Sequence, residues 1–530
     1  MALARSLAVA VVGIEGHLVE VEADLARGLP GLTLIGLPDA ALHEARDRVR
    51  AAVVNSRERW PDHRITVGLF PATLPKSGSG FDLAMAVAIM GAAGVVPAAA
   101  LGGRVLIGEL ALDGRLRPVR GVLPAVLAAV EAGLESIVVP ESNAGEASLV
   151  PGAVVEPMSD LASVLGLLRG RPRLGPSRIR LAPEAAPSSP SRSPGSPPLA
   201  AAGREPEPVG PDLADVAGQS RGRLAVEVAA AGGHHLFMQG PPGSGKTMLA
   251  ERLPGLLPSL DTTAALEVTA VHSVAGVLPV GRPLVTRPPF RSPHHTATPA
   301  ALVGSGSTVI RPGLASQAHH GVLFLDEAPE FGRTSLDVLR QPLESGVIEV
   351  ARARATTRFP ARFLLVLAAN PCPCSRARGP RDNTCDCPST ARRRYLARLS
   401  GPLLDRIDIQ VALAAPSRAE LRADRGLGTS SSVVAERVAS ARVAMRRRLA
   451  GTPWRRNAEV PGPSLRRQWP LRPDATRLAD RAFERGLLTA RGLDRVLRVA
   501  WTVADLKGED RPGSDEIGLA LDLRLPGWSV

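Results

Sequence analysis

The run GPPGSGKT, Gly240 to Thr247, limits the possible folds more than any other feature of this 530-residue chain. It fits G-x-x-x-x-G-K-[ST], follows the apolar HLFMQ and precedes the helical TMLAERL, so strand, loop and helix come in the order a phosphate-binding loop needs. Glycines allow the bends that turn backbone N–H groups inward around phosphate oxygens. Lys246 supplies a point charge to the β- and γ-phosphates, and Thr247 offers a hydroxyl to Mg²⁺. The nucleotide-binding stretch is therefore Gly240, Pro241, Pro242, Gly243, Ser244, Gly245, Lys246, Thr247 and Met248. Further along, GVLFLDEA reads as a buried strand ending in Asp326 and Glu327. Acids at the carboxyl end of a strand suit a nucleotide site at the edge of an open sheet. Asp326 would hold Mg²⁺ through water, and Glu327 would polarise the attacking water. Asn370 ends LLVLAAN, where its amide either orients that water or serves as a turn residue before Pro371. Arg406 in GPLLDRIDI and Arg491 at the start of TARGLDRVLRVAWTVADL are suited to charge spreading over γ-phosphoryl oxygens. In a chain so rich in arginine, position alone does not separate that role from a surface one.

The domain organisation follows composition. Residues 171–211 contain 11 prolines and no apolar periodicity, so they read as a linker that burial cannot order. Residues 1–170 read as a compact unit in which runs such as RITVGLF, GRVLIGEL and SIVVP alternate with the helical segments Phe81–Ala93 and Leu123–Ala132. Residues 212–415 alternate strands and helices as a parallel α/β sheet does, and 416–530 read as helices. The net charge of +13 is unevenly spread: −4 in 1–170, +3 in the linker and +14 in 212–530. A 45% hydrophobic and 22% charged composition excludes a disordered or rod-like chain, and no run approaches the length of a membrane span. A soluble cytoplasmic protein without a membrane partner is expected, its cysteines reduced.

The stretches LADVAGQSRGRLAVEVAAAGGHHLFMQGPPGSGKTMLAERLPGLLP, FRSPHHT, AHHGVLFLDEAPEF, LRQPLESGVIEVARA, AANPCPC and SGPLLDRIDI closely resemble the YifB/ComM family of magnesium-chelatase-like AAA+ ATPases. The resemblance covers nearly the whole chain except the linker. It implies that Gly240–Thr247 is the Walker A loop, Asp326–Glu327 the Walker B pair, Asn370 the first sensor and Arg491 the second. Arg406 would be an arginine finger serving a neighbouring subunit's ATP, and Asp215–Gln219 would border the adenine. It further implies a homohexamer and, for ComM-type members, an ATP-driven DNA helicase promoting branch migration in recombination. GSGFDLAMAVAIM and GELALDGRLRPVRGVLPAVLAAVEAGLESIVVPESN resemble the proteolytic domain of Lon, an α+β fold shared with ribosomal protein S5. Gly80 stands at Lon's serine position and Leu123 at its lysine position, so a Ser–Lys dyad is not expected even with Ser77, Ser79 and Lys76 nearby. A binding or assembly module is expected instead.

All four cysteines, Cys372, Cys374, Cys385 and Cys387, lie in residues 372–387. Two close pairs match a structural tetrahedral Zn²⁺ site in ligand number and type, with no open position for catalysis. DNA has four candidate contacts. FRSPHHT places Phe290, Arg291, His294 and His295 in a Pro-bounded insertion, and GVIEVARARATTRFPARF reads as a hairpin with Arg352, Arg354 and Arg358 near its tip. Ala444–Asn457 mixes Arg446–Arg448 and Arg455–Arg456 with Trp454, and ARRRY, Ala391–Tyr395, is shorter. Each is equally readable as local loop bonding or a solvated face. Two functions remain: a DNA translocase acting on single-stranded or branched DNA without sequence preference, and a chelatase-type motor remodelling a protein for metal insertion into a tetrapyrrole. The +14 charge favours the first.

Overall fold

The computed structural model describes residues 2–171, 179–180 and 210–525, apart from 37–38, 75, 77, 280, 307–309, 353–354, 375–386, 418–419 and 421–427. Most of the linker, Ser77, Arg354 and Cys385 thus lie outside the described residues.

The alternation at the start of the chain becomes a long antiparallel pair, Ala2–Val12 against Glu15–Ala26, in register from Ala2 opposite Leu25 to Val12 opposite Glu15. Side chains alternate faces along a strand, so Ala8, Ala10, Val19, Val21 and Ala23 point into the core. This pair centres an eight-stranded mixed sheet. The expected helices are Asp82–Ala92 and Val122–Glu131. The first is apolar all round and buried along nearly its whole length.

The second unit has a five-stranded sheet ordered Phe290–Arg291, Val322–Leu325, Leu364–Ala369, Leu236–Gln239, Ile409–Ala412. Every pairing in it is parallel. Val322–Leu325 and Leu364–Ala369 are buried at every position, as apolar runs covered on both faces must be. Helices Ser431–Arg448, Gly462–Gln468, Pro473–Glu484, Ala490–Lys507 and Ser514–Arg524 form the C-terminal lid. Lid and sheet share one apolar cluster, which runs from Leu249 and Val366 to Val438 and Trp501.

A buried polar network joins the lid to the sheet. His234 Nδ1 is 3.0 Å from Asp408 Oδ2 and its Nε2 is 2.7 Å from Thr502 Oγ1. Arg495 donates to Asp408 Oδ1 at 2.7 Å. Burial pushes the Asp408 carboxyl up, but His234, Arg495 and Arg498 outweigh it and hold the group below the ordinary carboxylate range.

The N-terminal unit docks on the second, parallel-sheet unit at two places. Its Gly13, at φ 69°, lies so close to the hairpin Val347–Arg352/Ala355–Pro360 that a Cβ would meet the Arg358 carbonyl at 2.9 Å. The other contact is polar and buried. The Gly121 amide donates to Ser273 Oγ at 2.9 Å, and the Leu123 amide to Glu146 Oε1 at 2.8 Å. The Ser273 hydroxyl also donates to Glu146. The first turn of Val122–Glu131, the place corresponding to Lon's lysine, is therefore closed by helix Thr262–Ala275 of the second unit. Lys76 donates to the Pro71 and Leu74 carbonyls and Ser79 to Glu109, so the described residues assemble no Ser–Lys dyad.

Burial holds the Glu146 carboxyl above its ordinary range. The folded state thus binds this proton more tightly than the unfolded one, and Glu146 lowers stability as pH rises from its ordinary value through the raised one. In Glu146→Gln this segment of the stability curve should flatten. Ser273→Ala leaves buried groups unpaired and should cost about 1–3 kcal/mol. Urea unfolding followed across pH measures both effects.

Candidate nucleotide site

The loop after Leu236–Gln239 turns through Gly243 and Gly245, at φ 76° and 81°, into helix Lys246–Leu256. Side chains are disfavoured at both angles, which accounts for the two glycines. Lys246 Nζ donates to the carbonyls of Gly240 and Pro241, at 2.7 and 2.9 Å, and to Asn370 Oδ1 at 3.2 Å. Burial pulls the Lys246 ammonium below its ordinary range, while Asp326 and Glu327 pull it back up. Thr247 Oγ1 donates to Asp326 Oδ2 at 2.8 Å. Strands Leu236–Gln239, Val322–Leu325 and Leu364–Ala369 run parallel, so these three motifs emerge at one edge. Gln219, which opens helix Ser220–Gly232 at φ 55°, lies beside Gly245.

Glu327 adopts φ 49°, ψ 43°, a left-handed conformation uncommon for a side-chain-bearing residue, and its amide donates to Asp326 Oδ1 at 2.9 Å. Its half-exposed carboxylate projects beside His295, whose Nδ1 is 3.7 Å from Oε2. The chain's only tyrosine, Tyr395, is buried beside the Asn370 backbone. Burial, then Glu330 and Glu327, push its hydroxyl up to about 12. The residues fit a nucleotide with Mg²⁺. A buried ammonium rests on its own loop's carbonyls, the buried Ser244 Oγ has no partner among the described residues, and a hydroxyl and a carboxylate already face each other.

Arg406 and Arg491 are placed elsewhere. Leu236 pairs with Ile409 in parallel, so Arg406 sits before its strand, at the amino edge of the sheet and away from Gly240. Four residues of strand span about 13 Å. There Arg406 donates to the Pro402 carbonyl at 2.6 Å and to Glu344, while Arg491 donates to Asp405 Oδ2 at 3.0 Å. The two arginines come together, and their own P-loop lies at the other edge.

The Sγ atoms of Cys372, Cys374 and Cys387 lie within 4.8 Å of one another, and Cys372 directly follows the Asn370 strand. A second cluster, Glu267, His319 and His320, also has the residue types of a metal site. His319 Nδ1 accepts the Arg362 amide at 3.0 Å, so the proton of the neutral ring is on Nε2 and faces Glu267 at 3.1 Å. Burial takes His319 down to about 4, and its hydrogen bond takes Glu267 down to about 2. That geometry is a neutral imidazole donating to a carboxylate and leaves no Nε2 lone pair for a metal.

The expected hairpin is present, and its exposed Arg358 pairs with Glu349 at 2.8 Å. Arg392, Arg393 and Arg394 are exposed on helix Ser389–Leu396. At the other two segments the structure shows local contacts. Phe290 and Arg291 form a strand of the sheet, His294 bonds Thr296 locally at 2.8 Å, and His295 faces Glu327. In Ala444–Asn457, Arg448 forks onto Asp505 beneath Trp501 and Trp454 packs on the lid core, leaving Arg446, Arg447 and Arg455 exposed.

A parallel sheet carrying this loop, acids and polar strand tip, with a helical lid, defines an AAA+ ATPase. The family model for magnesium chelatase, subunit ChlI, matches residues 212–421. A second model, for subunit ChlI of Mg-chelatase, matches 21–143, and that of the ChlI C-terminal region matches 428–524. An uncharacterized protein of Mycobacterium tuberculosis is 52% identical over 99% of both chains. Competence protein ComM of Haemophilus influenzae is 40% identical over 99% of this chain and 98% of its own. Lon protease of Mycolicibacterium smegmatis is 29% identical over 29% of this chain and 21% of its own. The chain belongs to the YifB/ComM family of magnesium-chelatase-like proteins. Among the described residues no helix is long and apolar enough to cross a membrane.

Glu327→Gln keeps the shape of the site but cannot take a proton, so ATP binding should persist while turnover falls by about 10²–10⁴-fold. Lys246→Ala should weaken binding itself. Nucleotide titration alongside steady-state ATPase separates the two, and unchanged turnover in Glu327→Gln would remove Glu327 from the chemistry.

Proposed function

We propose that this protein is a homohexameric, ATP-driven DNA motor that moves branched or single-stranded DNA without sequence preference and promotes branch migration in recombination. The observation that carries the oligomeric reading is the division of the site: Lys246, Asp326, Glu327 and Asn370 lie at one edge of the sheet and Arg406 at the other. A site needing Arg406 is completed by a second copy. Lys246 exchanges its loop carbonyls for the β- and γ-phosphates, while Thr247 and Asp326 hold Mg²⁺, which neutralises charge developing on the transferred group. Glu327 accepts a proton from the attacking water, Asn370 orients that water, and the neighbour's Arg406 meets the charge on the γ-phosphoryl oxygens. Arg491, beside Arg406, adds to the same positive field.

The +14 charge of residues 212–530 and the full-length likeness to a competence protein support DNA as the substrate. Arg358 and Arg392–Arg394 offer exposed charge for phosphates. The chelatase-type alternative rests on the three matched families. It differs in outcome, because a chelatase-type motor responds to a protein partner and not to DNA. ATPase should rise with any single-stranded or branched DNA and fade with salt, with a slope of about −0.7 per phosphate contact on single strands. Replacing Arg352, Arg354 and Arg358 with alanine should flatten that slope by up to about two units and spare DNA-free ATPase. ATPase indifferent to DNA at low salt in hexameric protein would decide for the chelatase-type motor.

The cysteines are proposed to hold one structural Zn²⁺. Thiolates at the separations of Cys372, Cys374 and Cys387 supply three ligands, and Cys385, outside the described residues, would complete a four-thiolate set. Protein prepared without chelator should contain about one Zn²⁺ per chain. Losing Cys372 and Cys385 together should weaken the hexamer more than the folded monomer. Metal analysis without zinc would reject the site.

A further inference from the structure

The segment Asp405–Asp408 is gripped residue by residue from the lid. Arg491 holds the Asp405 carboxylate at 3.0 Å. Arg495 donates to the Arg406 carbonyl at 3.4 Å and to Asp408 Oδ1 at 2.7 Å. Arg524 donates to the Ile407 carbonyl and, at 3.5 Å, to that of Asp408. These arginines come from two helices, Ala490–Lys507 and Ser514–Arg524, and Arg495 is only 12% exposed. Arg495 and Arg524 both take backbone carbonyls of the segment, so they fix the main chain of Arg406 and leave its guanidinium to other partners. Its present ones are the Pro402 carbonyl, at 2.6 Å, and Glu344, a surface carboxylate 65% exposed. Main-chain contacts from two lid arginines, combined with an exchangeable surface partner, hold the partly exposed Arg406 at a fixed position.

We propose that Arg495 and Arg524 are positioning residues that set where Arg406 is offered to the adjoining subunit, so the lid of one subunit governs hydrolysis in the next. This rests on the reading of Arg406 as a group acting between subunits. Both donate to the segment before strand Ile409–Ala412, at the edge of the sheet opposite their own chain's P-loop. Loss of either should therefore lower kcat and leave KM for ATP nearly unchanged, and the defect should belong to the neighbour's site.

Mixed rings test this directly. Arg524→Met removes two carbonyl contacts and a positive charge near Asp405 and Asp408, and Arg495→Lys keeps a charge beside Asp408 while losing the guanidinium that reaches the Arg406 carbonyl. Each should lower kcat by about a hundredfold, the cost of about a 1 Å misplacement. Rings assembled from equal amounts of either variant and Lys246→Ala should be more active than the mean of the two parents. The Lys246→Ala subunit keeps a well-placed Arg406 and serves the variant's intact P-loop. Arg406→Ala mixed with Lys246→Ala is the reference. If that reference recovers activity and the lid variants do not, their defect is internal and the proposal is overturned. If the reference itself fails to recover, the intersubunit reading of Arg406 falls and takes the proposal with it. Should Arg495→Lys not assemble on size exclusion, the Arg524→Met mixture decides alone.

Discussion

Five strands running the same way give the ATPase sheet two unlike edges, and most of the molecule's chemistry follows from that. Every carboxyl end lies on one side, so loops after three different strands deliver an ammonium, two carboxylates and an amide to a common place. Every amino end lies on the other, where Arg406 precedes its strand and meets the lid. Twist and crossovers would allow many loop lengths, but none brings a residue at a strand's start to the same strand's far end. Residues at the two edges are thus kept apart by topology before any side chain is chosen.

Charge buried at the amino edge is tolerated because both oxygens of Asp408 are bonded. Asp408 loses its water but gains His234 and Arg495, and Thr502 completes the contacts of His234. Removing one partner of such a group costs more than the contact returned, because the other is left as an unpaired buried charge. The network therefore links the lid helix Ala490–Lys507 to the strand edge through Arg495, Thr502 and Asp408.

What was legible in the sequence was local. The Gly240–Thr247 loop, the strand runs VLFLD and LLVLAAN, the buried helix at Asp82–Ala92 and the arginine hairpin all depend on neighbours in the chain, and each is found where the pattern places it. What was hidden depends on contacts between distant residues. Nothing near His295 signals that Glu327 will lie beside it, and ARRRY reads as charge until Tyr395 is seen buried behind Asn370. Arg448 and Trp454 carry the composition of a DNA-binding patch, yet the lid uses them for its own packing. The pairing of Arg491 with the Arg406 segment spans 86 positions and has no local trace.

The closure of the Lon-like helix by Ser273 has a consequence for how the chain is made. The acceptor for the Gly121 amide is 152 residues further on, and Leu266 and Ala270 of the same helix pack into the N-terminal unit's apolar cluster. A ribosome that has released only the first unit has therefore released an unfinished one, with an amide and an apolar strip still facing water. Completion awaits the helix Thr262–Ala275, the second after the P-loop, so the N-terminal unit cannot close its apolar strip until that part of the next unit has been made.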